Sequence, residues 1–267
     1  MILFTDLDGT LLNDEKKLSA KNTEAIRQAL KRGHQIVICT GRPLASGKIL
    51  ARELGLDTRG CYCIAFNGGE IYDMYRGESI YKRTIPMDFV RYLFDEAKRH
   101  GLHCQTYDDA SILTESENVD LDFYAARTNI PYRLVKDVTA VLPGDPVKVI
   151  VINASDHERL VRFQEDTEEW CKGRVDRIFS CAEYLEHMAP GVSKGDAVLR
   201  LCRHLSIPVS QAIAAGDAPN DLSMIRAAGI GAAMANADAQ VRAQADYVTK
   251  HDNNHDGVAE IIETFMR

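Results

Sequence analysis

The sequence lacks the cysteine pairs that a disulfide framework or a zinc site would need. The number of cysteines is odd and none lies in a CxxC pair; the seven are Cys39, Cys61, Cys63, Cys104, Cys171, Cys181 and Cys202. This usage favours a reducing compartment. An apolar run near the ~20 residues of a membrane-spanning helix is also missing. The sixth residue is already charged, which is unlike a signal peptide. We therefore expect a cytoplasmic protein that does not bind membranes.

Basic runs are scarce as well. Lysine and arginine occur in stretches no longer than about a pair, and the formal net charge is −7. Proteins that bind nucleic acid usually present a basic face, so nucleic acid is not expected as a partner. The 267 residues include 45% hydrophobic and 27% charged residues, a balance that suits two modest globular domains. We expect a monomer or a weak homo-oligomer.

Short apolar strands alternate with helices at both ends of the chain. We predict strands over residues 2–5, 35–39, 63–66 and 212–215, each followed by polar residues or glycine. Helices are predicted over 19–32, 44–54, 195–204 and 222–228. This alternation predicts an α/β core, a Rossmann-like doubly wound parallel sheet with a site at its carboxyl edge.

The middle of the chain has a different pattern. Strands there come in pairs with helices between them, at residues 103–107, 112–114, 147–152, 175–179 and 184–188. Helices are expected from about 87 to 100, over 118–128 and over 156–171. We therefore predict an inserted α+β cap domain over 83–188, and a core made of 1–82 and 189–267.

Two acidic motifs follow predicted core strands. The first, DLDGT at residues 6–10, places Asp6 and Asp8 two positions apart before a glycine. The second, GDAPND at residues 216–221, adds Asp217 and Asp221. Each motif alone is compatible with a simple turn or a helix cap. In a doubly wound sheet, however, the carboxyl ends of neighbouring strands converge, so the four carboxylates would share one crevice. They would repel each other without a cation, and hard oxygen ligands point to Mg²⁺.

Two cationic segments could bind an anion in the same crevice. Lys194 precedes a predicted helix and could be an ordinary surface lysine. Its charge opposes the helix dipole there, however, which favours a role in binding phosphate or the charge of the nucleophile. Thr40, Gly41 and Arg42 end the second strand and open a helix. A hydroxyl, backbone N–H groups and a guanidinium there would suit phosphate. A plain strand-to-helix turn is equally compatible with that segment.

These four segments, in this order and at these separations, resemble the motifs of the haloacid dehalogenase-like superfamily. The resemblance covers essentially the whole chain and extends to the Cof-type sugar-phosphatase branch, whose large α/β cap is inserted between the second and third motifs. It implies a Mg²⁺-dependent phosphatase that acts on small phosphomonoesters, such as sugar phosphates, through an aspartyl-phosphate intermediate. One departure is Ala218-Pro219, where a glycine or a polar residue is commoner.

The resemblance also implies roles for the acidic residues. Asp6 would be the nucleophile, and Asp8 would protonate the leaving alcohol and then activate water. Asp6, the Asp8 carbonyl and Asp217 would hold Mg²⁺, with Asp221 close by or connected through water.

Further residues would contact the substrate. By the same resemblance, Thr40 and Lys194 would bind the transferring phosphoryl group, helped by the backbone N–H groups of Leu7 and Gly41. Asn220 would touch phosphate or support the metal shell.

Weaker signals leave alternatives open. Asn67 lies in Asn-Gly-Gly, which favours a hairpin turn, although the family has such a pair near its substrate. Arg42 could contact substrate or pair with a surface acid. The run DNNHDG at residues 252–257 could be a second metal loop, but a polar loop before the last helix is favoured.

Two other functions compete with hydrolysis. A phosphomutase of the phosphomannomutase type would share this cap and catalytic set. A non-catalytic sensor of a phosphorylated metabolite could use the same fold, although a binder has no need of both a nucleophile and an acid.

Overall fold

The computed structural model describes residues 1–128 and 130–267. The chain divides into two compact units. The first comprises Met1–Gly41, Gly47–Tyr81 and Ser193–Arg267, and the second comprises Arg42–Ser46 and Lys82–Val192. None of the helices in the described ranges has the length and apolarity to cross a membrane.

The strands and helices alternate along most of the chain. The strands are β1 (Ile2–Thr5), β2 (Gln35–Cys39), β3 (Cys61–Ala65), β4 (Glu70–Asp73), β5 (Glu78–Lys82), β6 (His103–Tyr107), β7 (Ile112–Thr114), β8 (Tyr132–Leu134), β9 (Lys148–Ile152), β10 (Asp176–Cys181), β11 (Tyr184–Met188), β12 (Ala212–Gly216), β13 (Ile230–Ala233) and β14 (Tyr247–Val248). The helices are α1 (Ala20–Lys31), α2 (Leu44–Glu53), α3 (Met87–Arg99), α4 (Val119–Thr128), α5 (Val138–Val141), α6 (His157–Asp166), α7 (Glu168–Cys171), α8 (Lys194–His204), α9 (Leu222–Ala227), α10 (Ala239–Arg242) and α11 (Gly257–Phe265).

The sheet of the first unit has the order β14-β13-β12-β1-β2-β3-β4-β5. Strands from β14 to β3 pair in parallel, and β4 is antiparallel to β3. The chain moves outward from β1 in one direction through β2 and β3, and in the other through β12 and β13. The predicted α/β class with a doubly wound parallel sheet is therefore confirmed, with its switch point beside β1.

The register of the central strands fixes where the polar loops begin. Thr5 of β1 lies opposite Ile38 of β2 and Ala215 of β12. Because these strands are parallel, the residues that follow them leave the sheet at the same edge. Asp6, Thr40 and Asp217 therefore start from neighbouring positions.

A buried apolar layer holds this sheet against α8. Phe4, Val37 and Ala214 are buried together with Val198 and Leu201, which lie on one face of the helix. This packing fixes the axis of α8, and with it the position of Lys194 at the start of the helix.

The second unit has a sheet of mixed direction with the order β10-β11-β9-β6-β7-β8. Its apolar core joins alternate residues of the sheet, such as Cys104, Val149 and Leu185, to Phe94 of α3 and Phe163 of α6. Successive side chains of a strand point to opposite faces, so Gln105, Lys148 and Glu186 lie on the other face.

That other face carries a buried polar network. The Lys148 ammonium donates to the Glu186 carboxylate at 2.9 Å, and the Ser180 hydroxyl donates to the same oxygen at 3.0 Å. The Tyr107 hydroxyl donates to that of Tyr124, a residue of α4, at 2.5 Å. The lysine and the carboxylate are almost wholly buried. A charged pair in such a place is stable only while both partners are present.

Some elements differ from the sequence prediction. The single helix expected over 156–171 is two helices, because the Thr167 hydroxyl donates to the Phe163 carbonyl and the first helix ends there. Strand β8 and helix α5 were not predicted, since segments of three and four residues carry too little periodicity. The turn at Asn67 does join antiparallel β3 and β4, as expected.

We predict that Lys148→Met lowers the free energy of unfolding of the second unit by about 3 kcal/mol, because the buried Glu186 loses the ammonium group that faces it. Lys148→Met combined with Glu186→Leu should recover most of this loss. Urea unfolding followed by the fluorescence of Trp170 measures it, since this single tryptophan stacks on Tyr92 within the second unit. A double variant as unstable as the single one would contradict the prediction.

Candidate active site

Lys194 lies between two carboxylates in the first unit. Its ammonium group is 2.6 Å from an oxygen of Asp6 and 2.6 Å from an oxygen of Asp221. The lysine side chain is fully buried, so it cannot exchange these contacts for water. Ser193 caps α8 by accepting from the Asp196 N–H, which lets the helix begin at Lys194.

Asp221 uses both of its oxygens within the protein. One oxygen accepts from Lys194, and the other accepts from the backbone N–H groups of Asp217 and Ala218, at 3.0 and 3.1 Å. A Cβ on Gly216 would lie 2.4 Å from the Asp221 Cβ, so only glycine fits there. Asp221 therefore shapes the loop after β12 and holds Lys194 in place.

Asp217 projects toward the loop after β1. One of its oxygens accepts from the Thr10 hydroxyl at 2.7 Å. Gly9 has a φ of +82°, and a Cβ there would lie 2.4 Å from the other carboxylate oxygen. Glycine is thus required both for the turn and for the close approach of this carboxylate.

The carboxylates carry more charge than Lys194 offsets. Burial raises the pKa of Asp6 to about 8; Lys194 opposes this rise, while Asp221 and Asp217 add to it. Burial and the charge of Asp221 likewise raise the pKa of Asp217 to about 6, against the Thr10 hydrogen bond. Burial opposes the charge of Lys194, but the two carboxylates outweigh it and its pKa is raised. Because the three carboxylates repel one another, a further cation bound among them would stabilise their charged forms.

The acidic cluster could hold a metal ion. Asp6, Asp217 and Asp221 each offer an oxygen within 4.8 Å of the others, and no second group of this kind occurs in residues 1–128 and 130–267. Asp221 has both oxygens engaged by N–H groups, whereas Asp6 and Asp217 each have one oxygen bonded to Lys194 or Thr10. The donor set therefore fits a cation held chiefly by Asp6 and Asp217.

Polar residues from three loops meet beside the cluster. The Asn220 amide donates to the Asn67 side chain at 3.3 Å. A Cβ on Gly41 would lie 2.9 Å from the same Asn67 oxygen, so the asparagine packs directly on the backbone after β2. Thr40 is buried and its N–H donates to the Ile64 carbonyl. Thr40, Gly41, Asn67 and Asn220, predicted from separate motifs, thus gather in one place.

Asp8 and Leu7 face different surroundings. The Asp8 side chain is 36% exposed, and the Lys16 ammonium is 2.8 Å from one of its oxygens. A half-exposed carboxylate can exchange protons with solvent. Leu7 is fully buried, and its carbonyl accepts from the Leu12 N–H. Arg42 belongs to the second unit. Its guanidinium group lies 3.5 Å from the hydroxyl of Ser46, which belongs to the same unit.

A hydrogen-bonded brace behind the loop of Asp8 was missed by the sequence analysis. Asn236 donates to the Gly9 carbonyl at 2.8 Å, and Asn253 donates to the Leu12 carbonyl at 3.1 Å. Asn253 belongs to the run 252–257, whose alternative interpretation was a second metal loop. The polar-loop interpretation agrees with these contacts. The only sequence signal was the density of asparagine in that run.

Comparisons with known proteins cover nearly the whole chain. A family model described as haloacid dehalogenase-like hydrolase matches residues 3–262. The chain is similar to a 5-amino-6-(5-phospho-D-ribitylamino)uracil phosphatase of Bacillus subtilis, with 30% identity over 99% of this chain and 95% of the relative.

Solved structures of haloacid dehalogenase-like proteins also match nearly the whole chain. A haloacid dehalogenase-like hydrolase from Bacteroides thetaiotaomicron superposes with a TM-score of 0.93 and 31% identity, covering 98% of both chains. A sugar phosphatase of haloacid dehalogenase subclass IIB superposes with a TM-score of 0.79 and 26% identity, covering 99% of this chain and 98% of the other.

We predict that the metal-free protein loses stability as the pH rises from about 4 to about 8. Asp6 and Asp217 have raised pKa values in the folded protein, so the folded state binds more protons than the unfolded chain across that window. Thermal unfolding in EDTA measures this. The melting temperature should fall more for wild type than for Asp6→Asn combined with Asp217→Asn, which lacks both titrations. Equal falls in the two proteins would contradict the assignment.

Proposed function

Because the chain belongs to the haloacid dehalogenase-like hydrolase family and is a phosphomonoester hydrolase of that family, we propose that it forms a covalent aspartyl phosphate on Asp6. The observation that carries the proposal is the contact of Asp6 with Lys194, 2.6 Å apart at the end of β1 and beside two further carboxylates. Lys194 holds one oxygen of this buried carboxylate in place, and the second oxygen could then attack phosphorus from a fixed position.

The first step transfers the phosphoryl group to the enzyme. An oxygen of Asp6 forms a bond to phosphorus in line with the ester oxygen, whose bond to phosphorus breaks. Asp8 donates its proton to the departing alkoxide, so the product is a neutral alcohol. The half-exposed position of Asp8 supports this assignment, because the acid has to regain a proton in each cycle.

The second step releases the phosphate. Asp8, now ionised, accepts a proton from water, and the water oxygen forms a bond to phosphorus. The bond between phosphorus and the Asp6 oxygen then breaks, which yields inorganic phosphate and restores the carboxylate. The same residue serves as acid and then as base, so the protons balance over the cycle.

The remaining residues position the phosphoryl group. We assign to Lys194 the neutralisation of its negative charge, and to Thr40 and the N–H groups of Leu7 and Gly41 hydrogen bonds to its oxygens. Asn220 and Asn67, joined at 3.3 Å, would orient the substrate beside them. Asp221 acts through Lys194, which it holds by a direct ion pair.

We propose that Mg²⁺ occupies the acidic cluster. Asp6 and Asp217 would hold it with the Asp8 carbonyl, since oxygen ligands of this type suit a hard divalent cation. When bound, the ion would neutralise charge on the phosphoryl oxygens. Asp221, which the sequence placed among the ligands, is better assigned to Lys194 because both of its oxygens already accept hydrogen bonds.

The substrates proposed are small phosphorylated metabolites, sugar phosphates among them. Structures of this architecture include a sugar phosphatase, and a relative acts on a ribitylamino-uracil phosphate. Since relatives with the same fold differ in substrate, we propose that the inserted segment, 83–188 in the sequence analysis, selects among them. The seven free cysteines, six of them buried, suit a reducing compartment, and we propose that the reaction takes place in the cytoplasm.

We predict that wild type releases phosphate from a panel of phosphorylated metabolites with Mg²⁺, and that EDTA stops the release. Asp6→Asn should lower the rate by at least about 10³-fold, because an amide oxygen is a poor nucleophile. Asp57→Asn is the matched control, since Asp57 is an exposed aspartate outside the cluster and should keep the wild-type rate.

Two results would contradict this account. Release that persists in Asp6→Asn would exclude the aspartyl-phosphate route. Folded wild type that releases no phosphate from any member of the panel would redirect attention to phosphomutase or sensor functions.

A further inference from the structure

A cavity lies in the first unit, at the edge of the sheet opposite Asp6. It measures about 580 Å³ and is lined where β2 and β3 begin, by residues that include His34, Gln35 and Arg59. Because Asp6 follows the carboxyl end of β1 and this cavity lies at the amino ends of β2 and β3, the two sites are on opposite edges of a parallel sheet. Its volume falls in the range of small-molecule sites, about 300–1,000 Å³.

Positive charge predominates in the lining of this cavity. Arg59 and Arg76 line it, with Asp73 as the one carboxylate among the lining residues. Arg59 forms no ion pair within the part of the chain that the structure describes, whereas Arg76 lies 3.8 Å from Asp73 and 3.7 Å from Glu78. One Asp73 oxygen already accepts from the N–H groups of Tyr75 and Arg76. In a chain of net charge −7, such a place favours a bound anion.

An aromatic ring completes the lining. Tyr75 lies at the cavity and is 64% exposed, an unusual degree for a large side chain of this kind. A planar or apolar part of a ligand could stack on it. The cavity therefore offers guanidinium groups for an oxyanion and an aromatic ring for an apolar part of a ligand.

We propose that this cavity is a second binding site, separate from the catalytic cluster, for a small phosphorylated metabolite. Arg59 and Arg76 contact the phosphate, and Tyr75 stacks on the remainder of the ligand. The proposal stands whether or not the phosphatase mechanism is correct.

Amide NMR in EDTA tests the proposal, with Asp6→Asn as the parent protein so that the probe is not consumed. The probe is adenosine 5′-monophosphate, and adenosine is its uncharged counterpart. Saturable shifts of the Gln35 and Gly60 amides are expected with the monophosphate. Adenosine should bind at least about ten-fold more weakly, because it lacks the oxyanion. The amide of Gly216 reports separately on the catalytic cluster.

Variants of the two lining arginines test whether the monophosphate binds in this cavity. Arg59→Ala combined with Arg76→Ala should raise the dissociation constant read at Gly60 by about ten-fold or more and leave the response at Gly216 unchanged. Arg162→Ala, an exposed arginine of α6 in the second unit, is the matched control and should change neither. The dispersion of the spectra shows that each variant is folded.

Three results would overturn the proposal. The first is no saturable shift at Gln35 and Gly60 up to about 10 mM monophosphate, well above a weak 1 mM dissociation constant. The second is equal binding of adenosine. The third is a dissociation constant that does not change when both arginines are removed.

Discussion

The ion pairs of Lys194 with Asp6 and Asp221 are the contacts on which the rest of the catalytic cluster depends. A fully buried ammonium is stable only with charged partners, and here it has two at 2.6 Å. Asp221 is fixed in turn by the backbone N–H groups of Asp217 and Ala218. Lys194 thereby links the loop after β1 to the loop after β12, and the position of the proposed nucleophile follows from that link.

Close backbone packing holds the start of α8 in the position that this link requires. A Cβ on Gly68 would lie 2.1 Å from the Ser193 carbonyl oxygen, and one on Gly195 would lie 2.3 Å from the Ser223 carbonyl oxygen. The turn after β3 and the helix α9 thus pack tightly against the first turn of α8. Because neither side has room for a side chain, Lys194 has little freedom to move away from Asp6.

The sequence predicts the core fold and most members of the cluster, because both rest on local patterns. Apolar strands that end in DLDGT and GDAPND indicate a parallel sheet with acidic loops at one edge. Contacts between distant segments could not be predicted, because nothing local marks them. The engagement of both Asp221 oxygens, the brace from Asn236 and Asn253, and the buried Lys148–Glu186 pair are of this kind.

In the proposed mechanism, the phosphoryl group passes through a covalent bond to Asp6. The most direct test is the stereochemical course of hydrolysis at a phosphorus made chiral with sulfur and oxygen isotopes. Each in-line displacement inverts the configuration, so two successive displacements restore it. We therefore expect net retention of configuration at phosphorus. Net inversion would show a single attack by water and would contradict the covalent step.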